Sequence, residues 1–153
     1  MKYIPAVTEM ANDIYHVFYT TIRTVYPKYY PKEAVDFFIQ LHNKEQIRKR
    51  IASEHIGVLT DGSTIVGTGC LKGSHITGVY VLPDYQKQHG GSQIMDYLEH
   101  KIAEKHDKAI LDASLPAVCF YGHRGYQTVG HGVCELENDV KLVYEIMEKQ
   151  LIG

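Results

Sequence analysis

Between residues 76 and 102 the chain changes its period with almost no ordinary loop between. ITGVYV reads as a strand and stops at Pro83, and Ile94, Met95, Leu98 and Ile102 then recur on one face of a helix that starts near Gly91 and runs to Lys105. The join is QKQHGGS, residues 86–92. Hairpin patterns lie on both sides of this strand–turn–helix unit. HIGVL (55–59) and TIVGTGCLK (64–72) flank a DGS turn, and HITGVYV (75–81) follows a turn at Lys72–Ser74. Downstream come AILDAS (109–114), a helix from near Pro116 to Gly125, and strands at about 126–135 and 140–148 around a turn at Asn138–Asp139. A βα unit set between hairpins requires a mixed sheet with helices on its faces.

The N-terminal third is helical in period. Thr8 is placed to cap a helix reaching about Val25, with Met10, Ile14, Val17, Phe18 and Ile22 as its stripe. YPKYYP, residues 26–31, breaks it with two prolines. A short helix over 32–41 follows, and Asn43 with Gln46 resembles a capping box for a third over 44–52. The expected fold class is mixed α/β (α+β): a mostly antiparallel sheet of about six or seven strands flanked by helices, with residues 1–153 as one domain.

A formal charge of −2 gives no electrostatic argument for nucleic acid or an anionic membrane. No apolar run approaches the roughly 20 residues of a membrane span. Residues 1–20 lack the basic start and apolar block of a signal peptide. The three cysteines, Cys70, Cys119 and Cys134, have no CxxC spacing and read as free thiols in a reducing cytoplasm.

A helix N-terminus presents unpaired N–H groups and a partial positive charge. Glycines there let those groups close around an oxyanion. The turn therefore reads as a phosphate cradle, or else as a tight strand-to-helix turn that binds nothing. It has no GKS or GKT and no GxGxxG, so the common nucleotide motifs are absent, and with the hairpins this disfavours a doubly wound nucleotide-binding protein. Gly78, inside the preceding strand, marks a bulge or a close backbone approach. A bulge would splay this strand from Ile110–Ser114 and leave peptide groups facing a slot. Phosphate at the helix end and amides along the strand suggest a pantetheine-containing ligand.

Two segments together resemble the GCN5-related N-acetyltransferase (GNAT) superfamily. VYVLPDYQKQHGGSQIM is similar to that family's acetyl-CoA segment, V-x-P-x-(Y/F)-(Q/R)-x-x-G-x-(G/A). ASLPAVCFYGHRGYQTVG, residues 113–130, is similar to its A-x-x-F-Y-x-x-x-G-(F/Y) segment. One departure stands out: His89 occupies the family's first glycine position, Gly91 the second, and Gly90 the variable position between them. The resemblance implies a GNAT-like sheet and acetyl-CoA as cosubstrate, with no metal. The backbone of Val79, Tyr80 and Val81 would hold the acetyl carbonyl and pantetheine. Gln86, Lys87, Gln88, His89, Gly90, Gly91 and Ser92 would hold the pyrophosphate. Ser114, Ala117 and Tyr121 would lie along the pantetheine arm, with Tyr121 placed to protonate the departing thiolate. The partner implied is a small-molecule or peptide amine, and a homodimer is compatible with the family.

Acetyl transfer to an amine makes three demands. The ammonium must lose a proton, the oxyanion needs a donor, and the thiolate gains from a nearby acid. Tyr121 suits the last, although alone it reads equally as a packed aromatic. Tyr80, His75, Glu54 and His55 are candidate bases, none outstanding. His123, His131 and Cys134 match no common zinc spacing. Cys119 reads as a core thiol. The Tyr26–Tyr30 cluster with Glu33 and Asp36 is a candidate acceptor pocket, Tyr29, Tyr30 and Glu33 above all; aromatics packing on the sheet are the alternative. The sequence thus points to an N-acetyltransferase acting on a primary amine. The alternative is a non-catalytic acyl-CoA-binding sensor or interaction module.

Overall fold

The computed structural model describes residues 1–151. The chain opens with a short strand, β1 (Lys2–Pro5), and a single 3-10 turn (Thr8–Met10) leads into α1 (Ala11–Val25). A second 3-10 turn at Tyr26–Lys28 precedes α2 (Lys32–Leu41) and α3 (Lys44–Ala52). Then come β2 (Ile56–Asp61), β3 (Thr64–Lys72), β4 (His75–Val81), α4 (Gly90–Ala103) and β5 (Lys108–Ala113). The chain ends with α5 (Val118–His123), β6 (Gln127–Glu135) and β7 (Lys141–Gln150). The strands form one seven-stranded sheet in the order β1-β2-β3-β4-β5-β7-β6. Every pairing is antiparallel except β4 with β5, as a helical crossover between them requires.

The helices fall on both faces because the strands bury alternate residues in two cores. Val58, Cys70 and Tyr80 join Ile14, Phe18 and Ile22 of α1 and Ile47 of α3. Leu59, Val66 and Val81 join Ile94, Met95, Leu98 and Ile102 of α4 on the other face. Thr8 makes no capping hydrogen bond, and α1 instead continues from the 3-10 turn. Asn43 does cap α3: its side chain accepts from the Gln46 N–H at 2.9 Å. Cys119, expected in the core, is exposed on α5.

The strand β1 is absent from the sequence-based order. It pairs with β2 from Lys2↔Thr60 to Pro5↔Gly57, and its Tyr3 ring crosses β2 so that the hydroxyl donates to Gly69 O at 3.0 Å. Glycine is needed at both positions crossed. A Cβ at Gly57 would lie 2.6 Å from the Tyr3 hydroxyl, and one at Gly69 would lie 2.5 Å from Ile94 Cγ2. α4 therefore rests directly on the β3 backbone. Gly69→Ala is expected to destabilise the fold by about 1–3 kcal/mol through overpacking, each kcal/mol lowering Tm by about 2–4 °C. Thermal unfolding followed by circular dichroism would read this, and an unchanged Tm would contradict the close packing.

β4 carries the irregularity that shapes the site. Cys70 pairs with Gly78 but Leu71 pairs with Ile76, so Thr77 is an extra residue on β4. This bulge reverses the alternation, and Ile76 and Val79, three residues apart, both face the α4 core. Beyond it the two parallel strands part: β4 meets β5 only at His75↔Ile110 and Ile76↔Leu111.

Candidate active site

The gap between β4 and β5 exposes a defined set of peptide groups. Leu82 N–H donates to Val66 O at 2.8 Å, and Gly67 and Val81 are opposed in the register. Antiparallel alternation then turns the Tyr80 peptide toward β3 and those of Val79 and Val81 toward the gap. So of the three residues expected to present backbone there, Val79 and Val81 do. Tyr80 contributes its side chain instead. The bulge expected from Gly78 is present, one residue earlier at Thr77. A Cβ at Gly78 would meet its neighbours no closer than 3.5 Å, so steric closeness does not demand that glycine.

On the α4 face, a cavity of about 590 Å³ runs from Val79 and Val81 to the start of α4. Gln86, Lys87, His89, Gly90, Gly91 and Ser92 line it, and Pro116, Ala117, Phe120 and Tyr121 close the other side. Among the described residues, no acidic one contributes to this lining. The first backbone N–H of α4 taken by a carbonyl is that of Gln93, which donates to His89 O at 3.0 Å. Among the described residues, the N–H groups of Lys87 through Ser92 have no backbone acceptor. Free N–H groups, a helix N-terminus and a lysine fit an anion such as a diphosphate.

Individual residues of this turn divide the work. Gln86 acts on the turn itself: its Nε2 donates to Val81 O at 2.9 Å and ties the loop to the end of β4. Gln88 does not line the cavity. Gly90 is buried, and a Cβ there would come 2.9 Å from Leu59 Cδ2, so it lets α4 settle on the sheet. Gly91 faces the cavity wall, where a Cβ would lie 3.2 Å from Phe120 Cζ.

His89, at the departure from the family pattern, adopts φ 65° and ψ 14°, the left-handed region. The geometry of a glycine is thus retained without the glycine. That conformation costs a non-glycine residue roughly 1–2 kcal/mol, partly offset by the lower entropy of the unfolded chain, about 0.4–1 kcal/mol. His89→Gly is therefore expected to leave stability equal or raise it by up to about 1.5 kcal/mol. Denaturant unfolding would measure this, and a clear loss would mean that the imidazole makes a stabilising contact of its own.

On the opposite face lies a second cavity, of about 470 Å³. Val79, Ala117 and Tyr121 border both cavities, so the two meet at the gap between β4 and β5. Three phenols converge there. Tyr26 Oη donates to Tyr80 Oη at 3.1 Å and shares a hydrogen bond with Ser114 Oγ at 3.2 Å. Tyr121 is 6% exposed, and its hydroxyl has no hydrogen-bond partner among the described residues. Burial holds the Tyr26, Tyr80 and Tyr121 hydroxyls above the usual phenol range, so all three stay protonated near neutrality.

The second cavity has walls that the sequence only partly indicated. Tyr26, Phe37, Phe38, Leu41 and His42 form one side, and His75, Asp112, Leu142 and Tyr144 lie across from them. Tyr29, Tyr30 and Glu33 are not brought into its lining. Tyr29 is half exposed. The Tyr30 hydroxyl accepts from the Leu115 N–H at 2.7 Å and braces the approach to α5. Glu33 is partly exposed and accepts from Asn138 Nδ2 at 2.9 Å. Asp36 is occupied by Lys32 and Arg23. Of the candidate bases, His75 and Tyr80 reach the cavity, whereas Glu54 and His55 do not. His75 Nε2 lies 3.9 Å from Asp112 Oδ2.

His42 is a cavity residue that sequence reasoning missed. It stacks on Phe18 with ring centroids 4.1 Å apart and packs edge-on to Tyr80. Arg50 Nη1 lies 2.9 Å from its Nδ1. Burial, with the Arg50 charge adding to it, pushes the His42 imidazole down to about 3. The ring is neutral at ordinary pH, and with Nδ1 accepting from the guanidinium its proton sits on Nε2.

A mostly antiparallel seven-stranded sheet, opened between β4 and β5 and flanked by helices, is the GNAT fold. Residues 26–144 match the acetyltransferase (GNAT) domain, and the chain belongs to that family. Solved structures agree. The GCN5-related N-acetyltransferase from Rhodopseudomonas palustris is 25% identical with a TM-score of 0.89, over 97% of this chain and 94% of that one. The PaiA N-acetyltransferase from Thermoplasma acidophilum, solved in complex with coenzyme A, is 16% identical with a TM-score of 0.77, over 97% and 98%. A ribosomal-protein-alanine N-acetyltransferase from Brucella melitensis is 12% identical with a TM-score of 0.74, over 98% and 99%. The last two likenesses speak to fold alone. No curated protein sequence matches the chain. Among the described residues no helix is long and apolar enough to cross a membrane, and no group of three His, Cys, Asp or Glu could hold a metal ion.

Proposed function

We propose that this chain, a single acetyltransferase domain, transfers an acetyl group from acetyl-CoA directly to a primary amine. The observation that carries the reading is the meeting of two cavities at Val79 and Tyr121. One is suited to a diphosphate and a pantetheine arm, the other to a small organic acceptor. Acetyl-CoA would supply the activated acetyl group as a thioester.

The chain's own groups account for the rest. The N–H groups of Lys87 and of His89 to Ser92, with the Lys87 ammonium, hold the diphosphate. The Val79 and Val81 peptides pair with amides along the arm, and the Val79 N–H is a donor to a carbonyl oxygen at the gap. Tyr121 keeps its proton through the neutral range and offers it to sulfur. Tyr80 is excluded as a base, since burial keeps its hydroxyl protonated. His75, beside Asp112, is the proton acceptor that the cavity offers, directly or through water.

The test is an amine panel incubated with acetyl-CoA while free thiol is followed. Thiol release that depends on the acceptor, with a stoichiometric N-acetyl product in the mass spectrum, is the expected result. Tight CoA binding with no acceptor-dependent release would favour an acyl-CoA-binding sensor instead.

A further inference from the structure

The acceptor-side cavity holds a cation, Arg50, that no carboxylate pairs with among the described residues. Arg50 lines it and directs three N–H groups to neutral partners: Nη1 to His42 Nδ1 at 2.9 Å and Cys70 Sγ at 3.8 Å, and Nη2 to Leu41 O at 2.9 Å. A guanidinium carries five N–H groups, so its hydrogen-bonding capacity is unfilled. Elsewhere in the fold Arg23 pairs with Asp36 and Arg124 with Asp96 and Glu99, while Arg48, which makes no ion pair among the described residues, is exposed to water. Arg50 is half-buried at the cavity wall, so its unfilled N–H groups are open to an anionic ligand as well as to water.

Arg50 also stands close to the reacting end of the cavity. The His42 ring and the Cys70 thiol lie between it and β4: His42 Nδ1 faces the guanidinium while its Cε1 lies 3.6 Å from the Cβ position of Gly78, the residue before Val79, and Cys70 Sγ lies 3.8 Å from both Arg50 Nη1 and that Cβ position. Across the cavity, Asp112 beside His75 supplies the opposite polarity. Phe37, Phe38, Leu41 and Leu142 give the space between an apolar surface.

The geometry points to an acceptor that bears a carboxylate as well as its amine: a free amino acid with an apolar side chain, its carboxylate on Arg50 and its nitrogen toward Val79 and the His75–Asp112 pair. This rests on the acetyltransferase reading, and it names the chemical class that the acceptor belongs to. The guanidinium edge selects a planar carboxylate, and the aromatic wall selects against small polar side chains.

Matched acceptors test it: L-phenylalanine against phenethylamine, and L-leucine against isoamylamine, each with saturating acetyl-CoA. The expected result is a kcat/KM at least about tenfold higher for the amino acids, the scale of one charge-assisted contact. That preference should vanish in Arg50→Gln while the KM for acetyl-CoA holds. Equal or better use of the decarboxylated amines by the wild-type protein would overturn the inference and leave the acetyltransferase reading standing. Phenylalanyl peptides, compared with free phenylalanine, separate a free amino acid from a peptide end. The wild-type comparison needs no variant to fold. Should no panel member be acetylated, titration of 3-phenylpropionate against 3-phenylpropanol decides. Saturable binding of the acid alone supports the carboxylate site while the acetyltransferase reading falls, and no binding of the acid removes the site.

Discussion

Tyr121→Phe is expected to lower turnover by about 10²-fold, the usual size of an acid–base contribution, while leaving CoA affinity unchanged. The substitution removes one hydroxyl and little else. The ring keeps its edge contacts with Phe120 at 5.3 Å and Tyr126 at 5.8 Å, and no hydrogen bond among the described residues is lost. Two other phenols stand nearby, but Tyr26 and Tyr80 are already bonded to each other. They are poorly placed to substitute for it. The magnitude is consistent with one hydrogen bond to a charged group, about 1.5–3 kcal/mol, since each 1.36 kcal/mol is tenfold in rate. Burial makes Tyr121 a weaker acid than a free phenol, so its contribution is donation to a desolvated sulfur anion. Single-turnover measurement of N-acetyl product isolates the chemical step. Wild-type rates there would remove Tyr121 from the mechanism.

Gly91→Asp should weaken CoA binding by tenfold or more, about 1.4 kcal/mol. The new Cβ would press on Phe120 at 3.2 Å, and the carboxylate would stand among the N–H groups assigned to the diphosphate. Gly91→Ala separates the two effects. It introduces the same Cβ without the charge, and Phe120 has only to yield by a few tenths of an ångström, so its loss should be the smaller. Calorimetry on variants with an unchanged unfolding transition gives both values. Equal affinity in wild type and Gly91→Asp would mean that the diphosphate lies elsewhere.

Local pattern made most of the framework legible. The switch from helical to alternating period at residue 55, the glycine-bearing turn before α4 and the strand glycine near the bulge are all short-range signals, and each corresponds to an element in place. What was missed depends on contacts across the sheet. β1 is four residues at an edge, too short to alternate, and it is anchored by a tyrosine that reaches over a neighbouring strand. His42 and Arg50 belong to helical segments whose sequence gives no sign of the strand they will meet. Only the packing of α1 on β3 and β4, with α2 and α3 held against α1, brings them to the cavity. Tyr29 and Tyr30 carried the right chemistry for an acceptor wall, but the turn after α1 commits Tyr26 inward and leaves Tyr29 in solvent. Gln86 lines the cavity at the motif position, and its amide also holds the loop to Val81, a tie that only the folded turn reveals.

The two cavities open on opposite faces of the sheet and touch only where β4 and β5 part. With the two substrates seated as proposed, neither visitor has to pass the other on the way in, and a spent carrier can depart while a modified acceptor still occupies its own side. Such a layout favours a ternary complex over a relay through a stored acyl group on the protein. It also separates the evolution of the two entrances, since the acceptor door can be recut by changes in α2 and α3 while the turn before α4 stays as it is.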